Sequence, residues 1–281
     1  MIKVITSGLY TSIQDLGRYG FRKYGVPISG AMDLYSAELA NRLAGNDPEE
    51  AVIEITLQGP TLHFTENTII ALTGADLSPA LNGKSIANNT PIMVPKDSEL
   101  RFGKPMYGVR CYLSAAGGIQ SERILGSRSW YTGITHKGRL EKGDSIPLQS
   151  LPLKEVIPNA SVKVREAHFS AMQIQAFKGP EFYLLPKEIQ KELKRLTFTV
   201  SPNSNRMAYV LNSETEISAP EIITAPVQPG TIQLTPSGKW VVLMRDAQTT
   251  GGYARVLQLT EESINRLAQK QPMEAIQLVI V

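Results

Sequence analysis

The chain has 281 residues but one cysteine, three histidines and only 7% aromatic side chains. A single cysteine excludes an internal disulfide, and Cys111 sits in the alternating run "GVRCYLSAA", where it reads as a small buried hydrophobe rather than a nucleophile. His63, His136 and His168 are scattered, with no i,i+4 pair and no cysteine nearby, so no metal site is expected. No apolar stretch approaches the roughly 20 residues that span a bilayer. The opening "MIKVITSGLYTSIQDLG" lacks a basic segment, a long apolar segment and a cleavage site, so a soluble cytoplasmic protein without membrane contact is expected. Charge is nearly balanced, 29 basic against 26 acidic residues, and no Lys/Arg run exceeds two, which gives nucleic acid no footprint. There is no Walker A loop, since "GIQSERILGS" lacks the terminal Gly-Lys-Ser/Thr, and no G-x-S-x-G elbow. No Ala-Met-Lys-Met segment is present, so the chain is expected to carry no covalent biotin.

What is present is mostly short β-like runs separated by Gly, Pro and Asn. They include "VIEITLQG", "LHFTENTIIALTG", "PIMVP", "ELRFG", "VRCYLSAAGG", "DSIPL", "SVKVRE", "MQIQAF", "LTFTVS", "TIQLT", "WVVLM", "ARVLQL" and "IQLVIV". Helical spacing occurs in "SGAMDLYSAELANRLAGN", with Ser29 or Asp33 at its start and Gly45-Asn46 as a stop, and in "PKEIQKELKRL" and "TEESINRLAQKQP". Many strands with few helices predict closed β architecture, a barrel or a sandwich. Near the centre, Pro147, Pro152 and Pro158 interrupt any pattern, which predicts two domains, 1–155 and 156–281. An internal echo crosses that boundary. Ser29-Gly30-Ala31-Met32 lines up with Ser204-Asn205-Arg206-Met207, Glu54 with Glu221, and Gly59 with Gly230, as in a duplicated unit.

Four polar, glycine-bearing clusters stand out from this scaffold. The first, "YTSIQDLGRYGFRKYGVPISGAMD", contains Gln14, Asp15 and Arg18; the second, "LTGAD", places Asp76 at a strand end. The third, "SPNSNRMAY", holds Asn205 and Arg206, and the fourth is "RDAQTTGGY" at 245–253. Each has a plain structural explanation: Asp15 suits an Asx turn, Ser29 a helix cap, and Arg206 can pair with Asp246 as structural glue. The Gly251-Gly252 pair reads as a hairpin turn. Taken together, loops carrying Arg, Asp, Gln, Thr and Tyr predict a groove for a small polar anion, because Arg can hold a carboxylate bidentately.

The same stretches resemble the KipA-like or allophanate-hydrolase-subunit-2 family, also called the biotin-dependent carboxyltransferase family. The resemblance runs from "TSIQDLGRYGFRKYGVPISGAMD" through "LANRLAGN", "EITLQGPTLHF", "ALTGAD", "YLSAAGGI" and "LGSRS" to "NRMAY", "PGTIQLTPSGKWVVLMRDAQTTGGY" and "LAQKQP". It implies a mainly β chain of two cyclophilin-like β-barrel domains in tandem. It also implies a KipI-like (allophanate-hydrolase-subunit-1) partner, a LamB/YcsF-type partner and ATP with Mg in the assembled complex. The implied reaction is ATP-dependent opening of the 5-oxoproline lactam to glutamate, in a subunit inactive without its partners.

Matching positions are Gln14, Asp15, Arg18, Ser29, Gly30, Met32 and Asp33 in the opening signature, with Thr73, Gly74 and Asp76 at the first strand end. In the second half they are Arg206, Met207 and Tyr209, then Asp246, Gln248, Thr249, Thr250, Gly251, Gly252 and Tyr253. Of these, Asp76, Arg206, Gln248, Thr249 and Thr250 are expected to act in the chemistry, and the others to line a substrate- or partner-facing groove. The chain departs from the family at Ser204-Asn205-Arg206-Met207-Ala208-Tyr209-Val210, where the family reads Ser-Asp-Arg-Met-Gly-Tyr-Arg, and at Arg245. The loop "SRSWYTGITHKGRLEKGD" is also shorter than the family's. These departures leave two alternatives open: a regulatory protein binding a KipI-like partner without turnover, and the carboxyltransferase half of a urea-carboxylase-like system.

Overall fold

The computed structural model describes residues 1–149, 161–215 and 217–281. Two compact units make up the chain: Met1–Arg18 with Ser29–Arg165, and Tyr19–Ile28 with Glu166–Val281. The boundary expected at 155/156 lies outside the described residues. Both units are mainly β, as the alternating runs predict. Among the described residues, no helix is long and apolar enough to cross a membrane.

The first unit is built from β1 (Ile2–Thr6), β2 (Tyr10–Gln14), α1 (Leu34–Leu43), β3 (Val52–Thr56), β4 (Thr61–Phe64), β5 (Thr68–Asp76), β6 (Ala80–Leu81), β7 (Lys84–Ser85), β8 (Pro91–Val94), β9 (Glu99–Arg101), β10 (Tyr107–Ala115) and β11 (Ser145–Ile146). One sheet runs β11-β1-β4-β9-β6-β7 and the other β2-β3-β10-β5-β8. Ile2, Val4, Leu62, Phe64 and Leu100 from the first meet Ile53, Ile55, Ile70, Leu72, Cys111 and Leu113 from the second in one apolar core. Cys111 is fully buried there, and burial pushes its thiol pKa well up, which matches a packing role rather than a reactive one.

The outer face of the second sheet is covered too. Side chains alternate along a strand, so Val52 and Glu54 point away from the core that takes Ile53 and Ile55. Cross-strand register then lays Ser12, Glu54, Tyr112 and Thr73 in one row. The start of α1 sits on this row. Glu54 accepts from Met32 N–H at 2.7 Å and from Tyr112 OH at 2.9 Å. Tyr112 in turn accepts from Asp33 N–H at 2.8 Å, and Thr73 donates to the Ser36 carbonyl at 2.6 Å. Burial first, and then the nearby Glu54 carboxylate, hold the Tyr112 phenol well above its ordinary pKa, so it remains a donor.

The second unit contains α2 (Ala167–Ser170), β12 (Gln173–Lys178), α3 (Lys187–Glu192), β13 (Thr197–Val200), β14 (Ala208–Ser213), β15 (Glu221–Pro226), β16 (Thr231–Leu234), β17 (Trp240–Leu243), β18 (Thr250–Leu259), α4 (Glu261–Leu267) and β19 (Ala275–Ile280). Its sheet runs β12-β19-β13-β14-β17-β16-β18-β15, and β12 also pairs with β18. That pairing closes a seven-stranded barrel and leaves β15 outside it. Phe198 and Trp240 pack edge to face inside, with centroids 5.1 Å apart.

Four local expectations are corrected. The first helix is capped by Asp33, whose carboxylate accepts from Ser36 N–H, not by Ser29. "SVKVRE" forms no strand; its residues lead irregularly into α2. "PKEIQKELKRL" breaks after α3 into the 3-10 turn Leu193–Arg195. The internal echo also fails residue by residue, because Ser29–Met32 leads into a helix and Ser204–Met207 into β14. Glu54 is buried in a central strand, whereas Glu221 is exposed on β15.

Candidate functional site

In the first unit, most of the signature residues turn out to be occupied by the fold. Asp15 accepts from Gly17 N–H at 2.8 Å, Ser127 Oγ at 2.7 Å, Ser129 Oγ at 2.6 Å and Arg128 N–H at 2.6 Å. Arg18 donates to the carbonyls of Ile124 at 3.1 Å and Ser129 at 2.7 Å. Together they clamp the 124–129 loop against the strand end. Gly30 has φ +92 and lies so close to Leu16 and Gly17 that a Cβ would meet their backbone at 3.0 Å. Met32 and Asp33 present their N–H groups to the polar row, and Thr73 joins that row. Gly74, opposite Cys111, has φ 78.

Three signature residues keep chemistry to spare. Gln14 donates to Ser12 Oγ and the Trp130 carbonyl, but its buried Oε1 has no partner among the described residues. Ser29 is fully buried at φ 59, and its Oγ also has none. A non-glycine residue in left-handed backbone with an unmet hydroxyl is strained in two ways. Asp76 is half-buried at the end of β5; one oxygen accepts from Ser78 N–H at 2.8 Å, and the residue forms no ion pair among the described residues. Of the signature acids it alone is not taken up by a structural network. Ser29→Gly is expected to stabilise the fold by about 1 kcal/mol, relieving the backbone and removing the orphan hydroxyl. Urea unfolding checks this, and a destabilised variant would show that the hydroxyl has a partner after all.

In the second unit, Arg206 and Asp246 form a bidentate pair, Nε to Oδ2 at 2.8 Å and Nη2 to Oδ1 at 3.1 Å. Both are buried, at 7% exposure each. Asp246 N–H donates to the Arg206 carbonyl, and Met244 N–H to that of Met207, so the pair locks two adjacent segments. Arg206 is thus engaged by a carboxylate of its own chain, and Tyr209 is buried in β14. The exposed residues of this cluster are Met207, Gln248, Thr250 and Tyr253, with Thr249 half-buried. The Gly251-Gly252 pair is not a turn. It lies within β18, with Gly251 paired to Ala225, and a Cβ there would meet Gln233 Nε2 at 2.6 Å. The close approach, not a positive φ, favours the glycine here, since a Cβ would force the Gln233 amide to shift.

Sequence reasoning missed the cations beside this cluster. Arg22, Lys178 and Arg255 line a cavity of about 210 Å³ whose wall includes Pro226 and Val227. Val227 N–H donates to the Thr249 carbonyl at 3.1 Å, which ties that wall to the Gln248–Tyr253 stretch. These residues are 233 positions apart at the extreme (Arg22 to Arg255), and no local pattern marks them. Another cavity, about 290 Å³, lies in the first unit against Ile13, Trp130 and Leu140. On its rim Lys137 pairs with Asp144, and His136 Nε2 lies 3.5 Å from a Glu122 carboxylate oxygen.

A closed seven-stranded barrel in one unit and a two-sheet β core in the other, with these ordered signature loops, define a recognisable class. The model of the carboxyltransferase domain, subdomain A and B, matches residues 24–280, and the chain is a member of that family. Among its relatives, the C-type subunit of 5-oxoprolinase from Escherichia coli (strain K12) is 34% identical over 286 aligned positions, covering 99% of this chain and 91% of its own length. The Haemophilus influenzae protein of the same name is 31% identical, covering 96% and 87%. The crystal structure of TTHA0988 superposes with a TM-score of 0.90 at 29% identity over 99% of this chain, which spans 56% of the TTHA0988 chain. The Kluyveromyces lactis urea amidolyase superposes with a TM-score of 0.85 at 30% identity, and the chain spans 18% of it.

Proposed function

We propose that this chain is the C-type subunit of an ATP-dependent 5-oxoprolinase, opening 5-oxoproline to L-glutamate together with KipI-like and LamB/YcsF-type proteins in the cytoplasm. One observation carries the reading: the Escherichia coli C-type subunit of 5-oxoprolinase matches nearly end to end, covering 99% of this chain and 91% of the relative. A lactam amide is a poor electrophile, and phosphorylating its oxygen with ATP turns that oxygen into a leaving group. Such a step calls for hydrogen-bond donors and cations around developing charge rather than a nucleophilic triad. Asp76, Gln248, Thr249 and Thr250 are the residues whose side chains remain available for it, while Arg206 acts by holding Asp246. ATP and Mg are placed in the assembled complex. Among the described residues there is no group of three His, Cys, Asp or Glu that could hold a metal ion.

A second reading has its own observation. Urea amidolyase of Saccharomyces cerevisiae is 45% identical over 132 residues, although these are 47% of this chain and 7% of that protein. Glutamate release from 5-oxoproline with ATP separates the two. Turnover is expected only when this chain is mixed with both partners, and Gln248→Ala or Thr249→Val is expected to lower it at least about 10-fold without unfolding the chain. Full activity in both variants removes the loop from the chemistry. Carboxyl transfer from carboxybiotin in place of glutamate release would establish the urea-carboxylase-like reading, and a stable complex with neither activity a regulatory one.

A further inference from the structure

The 210 Å³ cavity of the second unit gathers positive charge that the fold does not neutralise. Arg22 enters from the 3-10 turn Arg22–Tyr24, Lys178 from the end of β12 and Arg255 from β18. Among the described residues, Arg255 alone of the three has a carboxylate partner. Glu181 accepts from its Nε and Nη2, both at 2.8 Å, and these bonds hold the Glu181 carboxyl below its ordinary pKa. Arg22 and Lys178 form no ion pair among the described residues. Each is instead placed by a neutral contact. Arg22 donates to the Val227 carbonyl, and Lys178 Nζ lies 5.1 Å from the centroid of the Phe182 ring. Pro180 and Pro226, both exposed, add apolar wall, and Gln228 adds an amide.

Like charges converging on one cleft repel one another, and low-dielectric walls focus their field into it. Surface cations without a ligand to hold normally diverge into water or pair with acids. We propose that this cavity binds a small organic oxyanion, its charged group held by Arg22 and Lys178 and its apolar body against Pro180 and Pro226. A carboxylate or a phosphate matches the fork of a guanidinium, and an ammonium adds a point charge. The volume lies below the roughly 300 Å³ at which drug-sized pockets begin, which fits a metabolite-sized ligand. The site stands independently of the 5-oxoprolinase reading, because it requires only that the free chain bind an anion.

Titrating the full chain with L-5-oxoproline and, separately, with inorganic phosphate distinguishes a carboxylate source from a phosphate source. Saturable binding of either is expected, weakening as salt rises. Arg22→Gln and Lys178→Gln are each expected to weaken it about 10-fold. Lys84→Gln, an exposed change in the other unit, is expected to leave it unchanged. If Arg22→Gln unfolds the chain, the exposed Lys178→Gln decides alone. Absence of saturable binding of both probes up to about 10 mM, or undiminished binding in the folded variants, overturns the site.

Discussion

Asp15→Ala is expected to cost about 4 kcal/mol of stability, among the largest single losses in the first unit. The carboxylate collects two backbone N–H groups and two serine hydroxyls at 2.6–2.8 Å while only 8% exposed. Hydrogen bonds to a charged group contribute about 1.5–3 kcal/mol each, and they do not add fully because the four donors share one acceptor group. Removing it leaves the half-buried Gly17 N–H and Arg128 N–H without their acceptor. Thermal unfolding checks the size: a drop of about 10 °C follows for a unit of this length. Asp15→Asn is expected to recover only part of the loss, since its amide NH₂ would face one of the donors. A folded Asp15→Ala chain of near wild-type stability that fails in catalysis would make Asp15 a functional acid instead of the anchor of the 124–129 loop.

Asp246→Ala is the counterpart in the second unit, with an expected loss of about 3–5 kcal/mol. The reason differs. Here the cost is an Arg206 guanidinium left in a buried place without its carboxylate. Replacing both partners by apolar residues of similar size, as in Arg206→Met with Asp246→Leu, is expected to return most of the stability, because neither charge then has to be buried. Urea denaturation of the two single variants and the double variant closes the cycle. A midpoint that falls in Asp246→Ala and recovers in the double variant identifies the pair as a fold element. Equal destabilisation of all three would show that the surrounding backbone bonds depend on the polar groups themselves.

The strand runs and the three main helical segments were legible because alternation and 3.6-residue spacing are local properties. Thr68–Asp76 and Tyr107–Ala115 became the central strands of a sheet buried on both faces, as their near-continuous apolar character implied. Glu54 was legible only as the apparent counterpart of Glu221; its partners Tyr112 and Met32 come from elsewhere in the chain. The Asx turn of Asp15 and the Arg206–Asp246 pair were legible as structural readings of the signature loops, and both are present; that Asp15 and Arg18 also hold the 124–129 loop was not, because its residues stand far away in the sequence. The cavity of Arg22, Lys178 and Arg255 was invisible for a related reason: it is assembled by strand register and a distant turn, and each cation alone resembles an ordinary surface residue. "SVKVRE" misled because alternation alone does not supply a neighbouring strand to pair with.

The short stretch Tyr19–Ile28 belongs to the unit whose other residues begin at Glu166. During synthesis it emerges long before its companions, and Ser29–Arg165 are all made before the first of them appears. Closing that interval costs loop entropy that grows only slowly with its length, yet the contacts come late and slow assembly. A single cut at 165/166 then releases all seven barrel strands but not the second unit in complete form. A fragment beginning at 166 would lack the turn that carries Arg22, and a gene fusion or split at the centre of the chain would separate one wall of the cationic cavity from the other two.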